Sequence, residues 1–477
     1  MMSKKGTSLV LALFFLAISI FSLPLISAHA ELTQAGYTQD LNSLWYDDFQ
    51  SVICNDPFSN SPLGCHLAWV RAIGPQSGPQ NKYLSLNSTF WEIYYGESYQ
   101  YDPPGGGAVI YEINEKRITN DSIKDYNPMI GIDGNNVIHI VWVRETVVGG
   151  ADSDTGRSDI FYTNSTDWSR FINISRQEKG QKNWYPTLAV DSESCIPHIA
   201  WQAGFQSPAG EIYYREGLSG PIEKLTNTTS MSLMPSIDLD QNNNVHLVWS
   251  EKVGTDLDVR YTNSTIWPAT KTSNYLNVSD QIENRYNDMR PDLFVGSNGI
   301  HVTYYKELDT PSIYWAMSNP ANSFFLNFGV VSPAGDKSRN PSIVVNSQNN
   351  PVIMYETYPA NEDEWDVYIM DYNGTGTEQW KPSDYHSWND FGPDTLNWSS
   401  IGALAMDPPN YFCATFYGNM GNTSYPNWDV YFRFSMVKGA GFEIPGFETA
   451  LLFMSLFGIS FTLYFLQRKS DTKNRQV

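Results

Sequence analysis

Only four cysteines occur in 477 residues, too few for a disulfide-stapled scaffold. Basic residues are also scarce. Thirty Lys and Arg stand against 51 Asp and Glu, a formal net charge of −21, which argues against a nucleic-acid partner and creates a field that attracts cations. Between the two ends no amphipathic helical period appears, and long apolar runs are confined to the ends themselves. What is present is 14% aromatic residues, with Gly and Pro punctuating about every ten positions, the composition of an all-β chain.

A two-part phrase recurs seven times. Its first half is a proline-led strand, a turn rich in Asp, Asn and Gly, and a strand of the form x-His-x-x-Trp. The clearest copy holds Pro235, Asp240, His246 and Trp249. Pro128, Asp133, His139, Trp142 and Pro186, Asp191, His198, Trp201 repeat it, and His66 and Trp69 open the series. Pro291, His301, Tyr304 changes the aromatic; Pro341, Asn346, Tyr355 and Asp407, Cys413, Phe416 lose the histidine. The second half is an acidic or polar residue, a β-branched residue and a pair that usually contains Tyr, as in Glu92-Ile93-Tyr94-Tyr95, Glu211-Ile212-Tyr213-Tyr214 and Asp429-Val430-Tyr431-Phe432.

Successive copies lie about 50 to 60 residues apart, long enough for four short strands and too long for a helical or leucine-rich repeat. The expected fold is therefore an all-β, seven-bladed propeller of four-stranded blades, six blades being the alternative, with apolar residues on both faces of each blade because neighbours sandwich it. The 73 residues from His66 to His139 imply an insertion near Tyr99 and Gly107. The segment 31–34 resembles the outer strands around Leu225 and Ile118, and it is expected to complete the last blade and close the ring.

The ends assign an address. Residues 1–30 carry Lys4 and Lys5, an apolar run over 9–26 and the small-x-small pattern Ala28-His29-Ala30, which together read as a signal peptide. The propeller ectodomain is placed at 31–438 and a linker at 439–447. The apolar stretch 449–466, set within a membrane-crossing helix assigned to 448–467, precedes a basic cytoplasmic tail at 468–477 with Arg468 and Lys469. The predicted location is the cell membrane, single-pass type I, with the ectodomain outside. Ten N-x-Ser/Thr acceptors fit that address: Asn87, Asn120, Asn164, Asn173, Asn227, Asn263, Asn277, Asn373, Asn397 and Asn422. Some of them are equally explained by polar turns rich in Asn, Ser and Thr. Cys54 and Cys65 flank a short loop and are a candidate disulfide, while Cys195 and Cys413 read as small apolar residues at strand-core positions.

Two resemblances accompany these readings. The Pro-led strand followed by x-His-x-x-Trp is similar to the blades of the sialidase-like (BNR-type) β-propeller superfamily, over roughly residues 31–438. Two departures separate this chain from true sialidases. Where the Asp-box Ser-x-Asp-x-Gly-x-x-Trp would stand, the turns read Asn164-Ser165-Thr166-Asp167-Trp168 and Asn263-Ser264-Thr265-Ile266-Trp267, and no early Arg-Ile-Pro or arginine triad can be mapped. Sialidase activity is therefore not implied. The tail Ile444-Pro445-Gly446-Phe447, with the apolar stretch and basic end, resembles the PGF-type sorting tails of archaeal surface proteins, which implies either a retained helix or its replacement by a lipid.

Candidate sites divide into regular and irregular ones. The five repeat histidines sit on second strands, away from the channel that first strands line, and are expected to be packing residues. The Asp-Asn-Gly turns lack the carboxylates that six to eight oxygen ligands require, so no cofactor is expected, with calcium the alternative. A rim of acids, Glu145, Glu251, Glu307 and Glu356 with Asp159, Glu211, Asp258, Asp366 and Asp429, reads either as turn anchors or as a cation- or glycan-binding face. Glu145, Glu251, Glu307 and Asp390 are the candidates for any acid/base chemistry. Among the irregular parts, the loops 147–157 and 358–364 should share that rim. A longer insertion carries Trp380, Tyr385, His386, Trp388, Asp390 and Trp398, a sugar-stacking composition that would also suit a mini-core.

No nucleophile or metal constellation appears, which favours an extracellular binding or adhesion module for a glycan or an envelope protein over an enzyme. The alternatives are a carbohydrate-active hydrolase or lyase using the rim carboxylates, and a structural envelope component.

Overall fold

The computed structural model describes residues 47–436 apart from connecting segments, the longest of which are 56–64, 74–89, 102–109, 146–156, 381–403 and 420–427. All regular structure described is β. Blade one comprises β1 (Asp47–Asn55), β2 (Cys65–Ile73), β3 (Phe90–Tyr101) and β4 (Ile110–Arg117). Blade two comprises β5 (Asp125–Ile132), β6 (Ile138–Glu145), β7 (Ser158–Asn164) and β8 (Asp167–Asn173), and blade three β9 (Asn183–Val190), β10 (Pro197–Ala203), β11 (Glu211–Glu216) and β12 (Ile222–Lys224). Blade four holds β13 (Ser232–Leu239), β14 (Val245–Val253), β15 (Asp256–Asn263) and β16 (Leu276–Asn277). Blade five holds β17 (Asp288–Gly296), β18 (Gly299–Lys306), β19 (Ser312–Ser318) and β20 (Phe325–Val330); blade six holds β21 (Lys337–Val345), β22 (Pro351–Tyr358), β23 (Asp366–Tyr372) and β24 (Thr377–Trp380).

Every blade is a simple antiparallel meander, and each first strand lies beside the first strand of the next blade, from β1 and β5 through to β17 and β21. This is the architecture of a β-propeller with six four-stranded blades. A further sheet, β25 (Leu404–Asp407), β26 (Tyr411–Asn419) and β27 (Trp428–Met436), has three strands rather than the four expected, and its β25 lies beside both β21 and β1. The segment 31–34, expected to supply the missing strand, lies outside the described residues, as do the signal peptide, linker, apolar stretch and tail. Among the described residues no helix is long and apolar enough to cross a membrane.

Burial runs radially. The second strand is hidden on both faces, every residue of β10 being buried, whereas no residue of the outer strand β8 is buried. The aromatic of x-His-x-x-Trp fills the middle of each sandwich: Trp69, Trp142, Trp201 and Trp249 are almost fully buried, as are Tyr304 and Tyr355. Burying one such ring is worth about 2 to 3 kcal/mol.

The register explains why the proline and that aromatic recur together. In each first strand one extra residue is inserted between paired positions, so that two residues oppose one: Asn127 and Pro128 face Trp142 because Tyr126 pairs with Val143 and Met129 with Val141. The same shift sets Tyr185 and Pro186 against Trp201, Met234 and Pro235 against Trp249, Arg290 and Pro291 against Tyr304, and Asn340 and Pro341 against Tyr355. In blade one Gln50 and Ser51 face Trp69. Proline suits a bulge because no ladder hydrogen bond needs its missing N–H there.

The fourth strand is tied back by a second repeat. The hydroxyl of Thr119, Ser175, Thr226, Ser279 or Ser332 accepts the N–H of Ile93, Ile160, Ile212, Val259 or Ile313 on the third strand, at 2.8 to 3.0 Å. Beyond blade one's expected insertion point, β3 and β4 pair as far as Tyr101 and Ile110, so this excess length partly extends the outer hairpin.

Candidate functional site: the central channel

The bulges have a consequence for the channel. The residue before each bulged proline has a left-handed φ: Asn127 (50°), Tyr185 (46°), Met234 (54°), Arg290 (49°) and Asn340 (53°), joined by Gln50 (51°) ahead of Ser51. Asn tolerates that region; Tyr, Met, Arg and Gln do so at a cost of about 1 to 3 kcal/mol each. All six line one cavity of ≈ 250 Å³ together with the prolines and with Thr187, Ser236, Asp292 and Ser342.

Among the described residues lining this cavity, the charges are one cation, Arg290, and one carboxylate, Asp292. Asp292 is committed: it accepts the Ser236 hydroxyl at 2.8 Å and the Ile343 N–H at 3.0 Å, tying blade five to its neighbours, and burial raises its pKa. Asp238 ties blade four to blade five in the same way by accepting the Val295 N–H at 2.8 Å, and burial pushes its pKa up to about 6. Gln50 accepts the Asn127 N–H at 2.8 Å, and Asn340 donates to Glu356 at 3.1 Å. Arg290, the Tyr185 hydroxyl and the Asn127 side-chain amide form no hydrogen bond or ion pair with any described residue.

The rim acids lie at the ends of second and third strands as expected, but most are engaged within their own blade. Glu92 accepts the Asp121 N–H and pairs with Arg117 at 3.0 Å. Asp159 takes the Asn173 amide of its own blade and the Asn183 amide of blade three, and pairs with Arg157. Glu211 takes the Thr226 hydroxyl and the Thr228 N–H, and Glu356 pairs with Arg339 at 3.0 Å. Glu307 accepts the Asn287 amide at 2.8 Å on the surface. Burial raises the Glu145 pKa, against the pull of Lys124 and Lys182.

Glu251 and Asp258 form the one directly opposed acid pair described on this rim, facing each other across β14 and β15. They flank Arg260, at 4.0 Å and 3.7 Å. Burial raises both pKa values, against the lowering pull of Arg260 on each. Asp390, Tyr385, His386, Trp388 and Trp398 lie outside the described residues, as does the side chain of Trp380 at the end of β24.

The five histidines are interior residues of their blades. His66, His139, His198 and His246 meet the hydroxyls of Tyr95, Tyr162, Tyr214 and Tyr261 at 2.6 to 2.8 Å, and His301 stacks on Trp315. Burial lowers the pKa of His139, His198 and His246, and of His301 to about 4. The acidic turns are spent on their own backbone: Asp133 accepts the Asn135 and Val137 N–H groups, and Asp240 those of Asn242 and Asn244. Among the described residues no group of three or more His, Cys, Asp or Glu is placed to hold a metal ion.

One cysteine is misplaced by the repeat alignment. Cys195 is not a strand-core residue; it takes the left-handed turn position (φ 59°) that Asn136, Asn243 and Asn349 take elsewhere, because the β9–β10 turn places its fifth residue there. The expected Cys54–Cys65 bridge is not formed: Cys65 is buried and disulfide-bonded, but the register sets it opposite Asn55 and sets Cys54 opposite His66, so the two cysteines face opposite sides of the sheet and Cys54 is in no disulfide. Cys413 lies on β26, opposite Ala405.

Several sequons double as blade architecture. The Asn164 and Asn263 amides donate to the Tyr162 and Tyr261 hydroxyls, Asn173 donates to Asp159, and Asn277 donates to the Ser279 carbonyl. Asn120 and Asn227 are exposed just after their fourth-strand ties. Asn87, Asn373, Asn397 and Asn422 lie outside the described residues.

No protein-family model matches the chain, and no curated protein does. Solved structures do. An oligogalacturonate lyase from Vibrio parahaemolyticus is 9% identical, with a TM-score of 0.50 over 85% of this chain and 96% of the other. A sialidase from Trypanosoma rangeli is 10% identical at a TM-score of 0.41, covering 72% of this chain and 57% of that one. The family 93 α-L-arabinofuranosidase of Fusarium graminearum is 11% identical at 0.40, over 64% and 92%. At these identities the likeness to the lyase speaks for the propeller fold and for nothing finer.

Proposed function

We propose that this chain is an exported, membrane-anchored propeller that binds a saccharide at the mouth of its central channel. The observation that carries the reading is the channel itself: a cavity of ≈ 250 Å³ where, among the described lining residues, a guanidinium, a phenol and an amide are left without a hydrogen-bond partner and the one carboxylate is already occupied. Such a cavity offers hydrogen bonds and an aromatic edge without the free carboxylate pair that glycosidic cleavage uses. That the solved structures of similar fold include carbohydrate-active proteins by their titles agrees with a saccharide as ligand. In this reading the three-stranded sheet is the seventh blade, closed by the segment 31–34, and the apolar stretch near the C-terminus holds the propeller at the cell surface. Asn120 and Asn227 are then the described acceptors best placed to carry glycans.

A second reading rests on one observation, the opposed pair Glu251 and Asp258 with raised pKa values beside Arg260. It makes the chain a hydrolase or lyase acting at the rim of blade four. One experiment separates the two. The purified chain is incubated with a panel of polysaccharides, and retention and new sugar ends are followed together. Retention without new ends supports binding; new ends that vanish in Glu251→Gln or Asp258→Asn establish catalysis and overturn the first reading.

A further inference from the structure

An arginine inside an acidic protein is normally paired, and here the rule holds almost everywhere. Arg71 meets Glu115, Arg117 meets Glu92, Arg144 meets Asp121 and Asp125, Arg260 lies between Glu251 and Asp258, and Arg339 meets Glu356. Arg215 donates to the Gly220 and Ile174 carbonyls, and Arg170 and Arg176 are exposed to water. Arg290 is the exception. It is half-buried in the channel wall, it holds a left-handed φ that its side chain disfavours, and it meets no acceptor among the described residues.

Packing does not require an arginine there. The bulge is served by Met234 in blade four and by Asn127 in blade two, so the fold constrains the backbone and the following proline and leaves this side chain open. A half-buried guanidinium that meets no acceptor among the described residues is out of place in so acidic a chain. Two other bulge residues, Tyr185 and Asn127, whose side-chain hydroxyl and amide make no hydrogen bond with any described residue, line the same cavity.

We propose that the channel selects acidic saccharides, its Arg290 guanidinium holding the sugar's oxyanion, a carboxylate or a sulfate, while Tyr185 and Asn127 bond neighbouring hydroxyls. The planar fork of guanidinium suits two-point contact with either oxyanion. The chemistry rests on the saccharide-binding reading above and narrows it to one class.

The test is calorimetric titration of the full-length chain with three disaccharides of matched size: glucuronate-containing, sulfated, and neutral. The acidic ligands should bind at least about tenfold more tightly than the neutral one, and Arg290→Gln should remove that advantage, an energy step of about 1.4 kcal/mol. Arg290→Lys should restore part of it, and added salt should weaken the acidic ligands selectively. Whichever of the two acidic ligands wins identifies the oxyanion. Arg290→Gly, which relieves the backbone, separates binding from folding: its melting temperature should hold while the acidic preference is lost. Equal affinity for all three disaccharides, unchanged by Arg290→Gln, would overturn the acidic class and leave saccharide binding standing. Inorganic sulfate binding as tightly as the sulfated sugar would show a bare anion site. Absence of any binding would remove both readings.

Discussion

First and second strands repeat in different ways. In second strands both backbone and side chains recur: a buried histidine meets a tyrosine hydroxyl of the third strand, and three residues on a large aromatic ring fills the blade. In first strands only the backbone recurs. The bulge and its left-handed φ appear six times, yet the residue that carries them is Gln, Asn, Tyr, Met, Arg or Asn. Where packing dictates a side chain the repeats converge, and where a side chain faces the channel they are free to diverge. Divergence on an invariant backbone therefore marks the candidate site better than the recurring histidines do.

The comparison can be broken at its strongest point first. Trp249→Ala, at a fully buried second-strand position, should cost about 3 to 5 kcal/mol by denaturant unfolding, as for other buried aromatic truncations. A loss below about 1 kcal/mol would mean that the blade interior is not close-packed as described.

The next effect is pH dependence, and it has opposite signs on the two strands. His301 has a folded pKa lowered to about 4, so the unfolded chain protonates first and stability is lost as pH falls from about 6.5 to about 4, by up to about 3 kcal/mol. His301→Gln should flatten that acid limb. Asp288, at the start of first strand β17, has its pKa raised to about 7 by burial, against the attraction of Lys306. The unfolded chain ionises this carboxyl first, so its contribution to stability declines as pH rises from about 4 to about 7, and Asp288→Asn should remove the slope. Thermal melts across that range, for each variant separately, decide both signs.

Smaller still is Tyr261→Phe, which strips the hydroxyl from His246 and Asn263 and should cost about 1 to 2 kcal/mol. The smallest stability effect belongs to the channel. Arg290→Gly should change stability by less than about 1 kcal/mol, since glycine accepts the left-handed φ, while removing the preference for acidic ligands. A large loss of stability there would make Arg290 a structural residue and erase the contrast between the strands.

Much of the blade was legible in the sequence. Pro235 and Trp249 recur at a steady offset, and the Leu225-Thr226 and Ile118-Thr119 pairs mark fourth-strand ends that do tie back to Ile212 and Ile93. The candidate site was not legible, because its residues do not recur from blade to blade; the one signal was the variable residue before each proline. Cys195 was misread because alignment by repeat does not see which residue of a turn takes the left-handed position. The sequons at Asn173 and Asn277 show a related ambiguity, since Ser175 and Ser279 already accept third-strand N–H groups.

By itself the sequence determined that this chain is all-β, repeats a four-stranded unit and buries one aromatic per unit, because alternation, turn residues and period are local properties that survive in one dimension. Tertiary structure alone decided that X-Pro and that aromatic oppose one another as two against one. It alone brought six bulge side chains of five kinds to one cavity and left Arg290 with no hydrogen-bond or ion-pair partner among the described residues. Register, convergence and the pairing of charges depend on which distant strands meet, and that is settled only when the blades close around their channel.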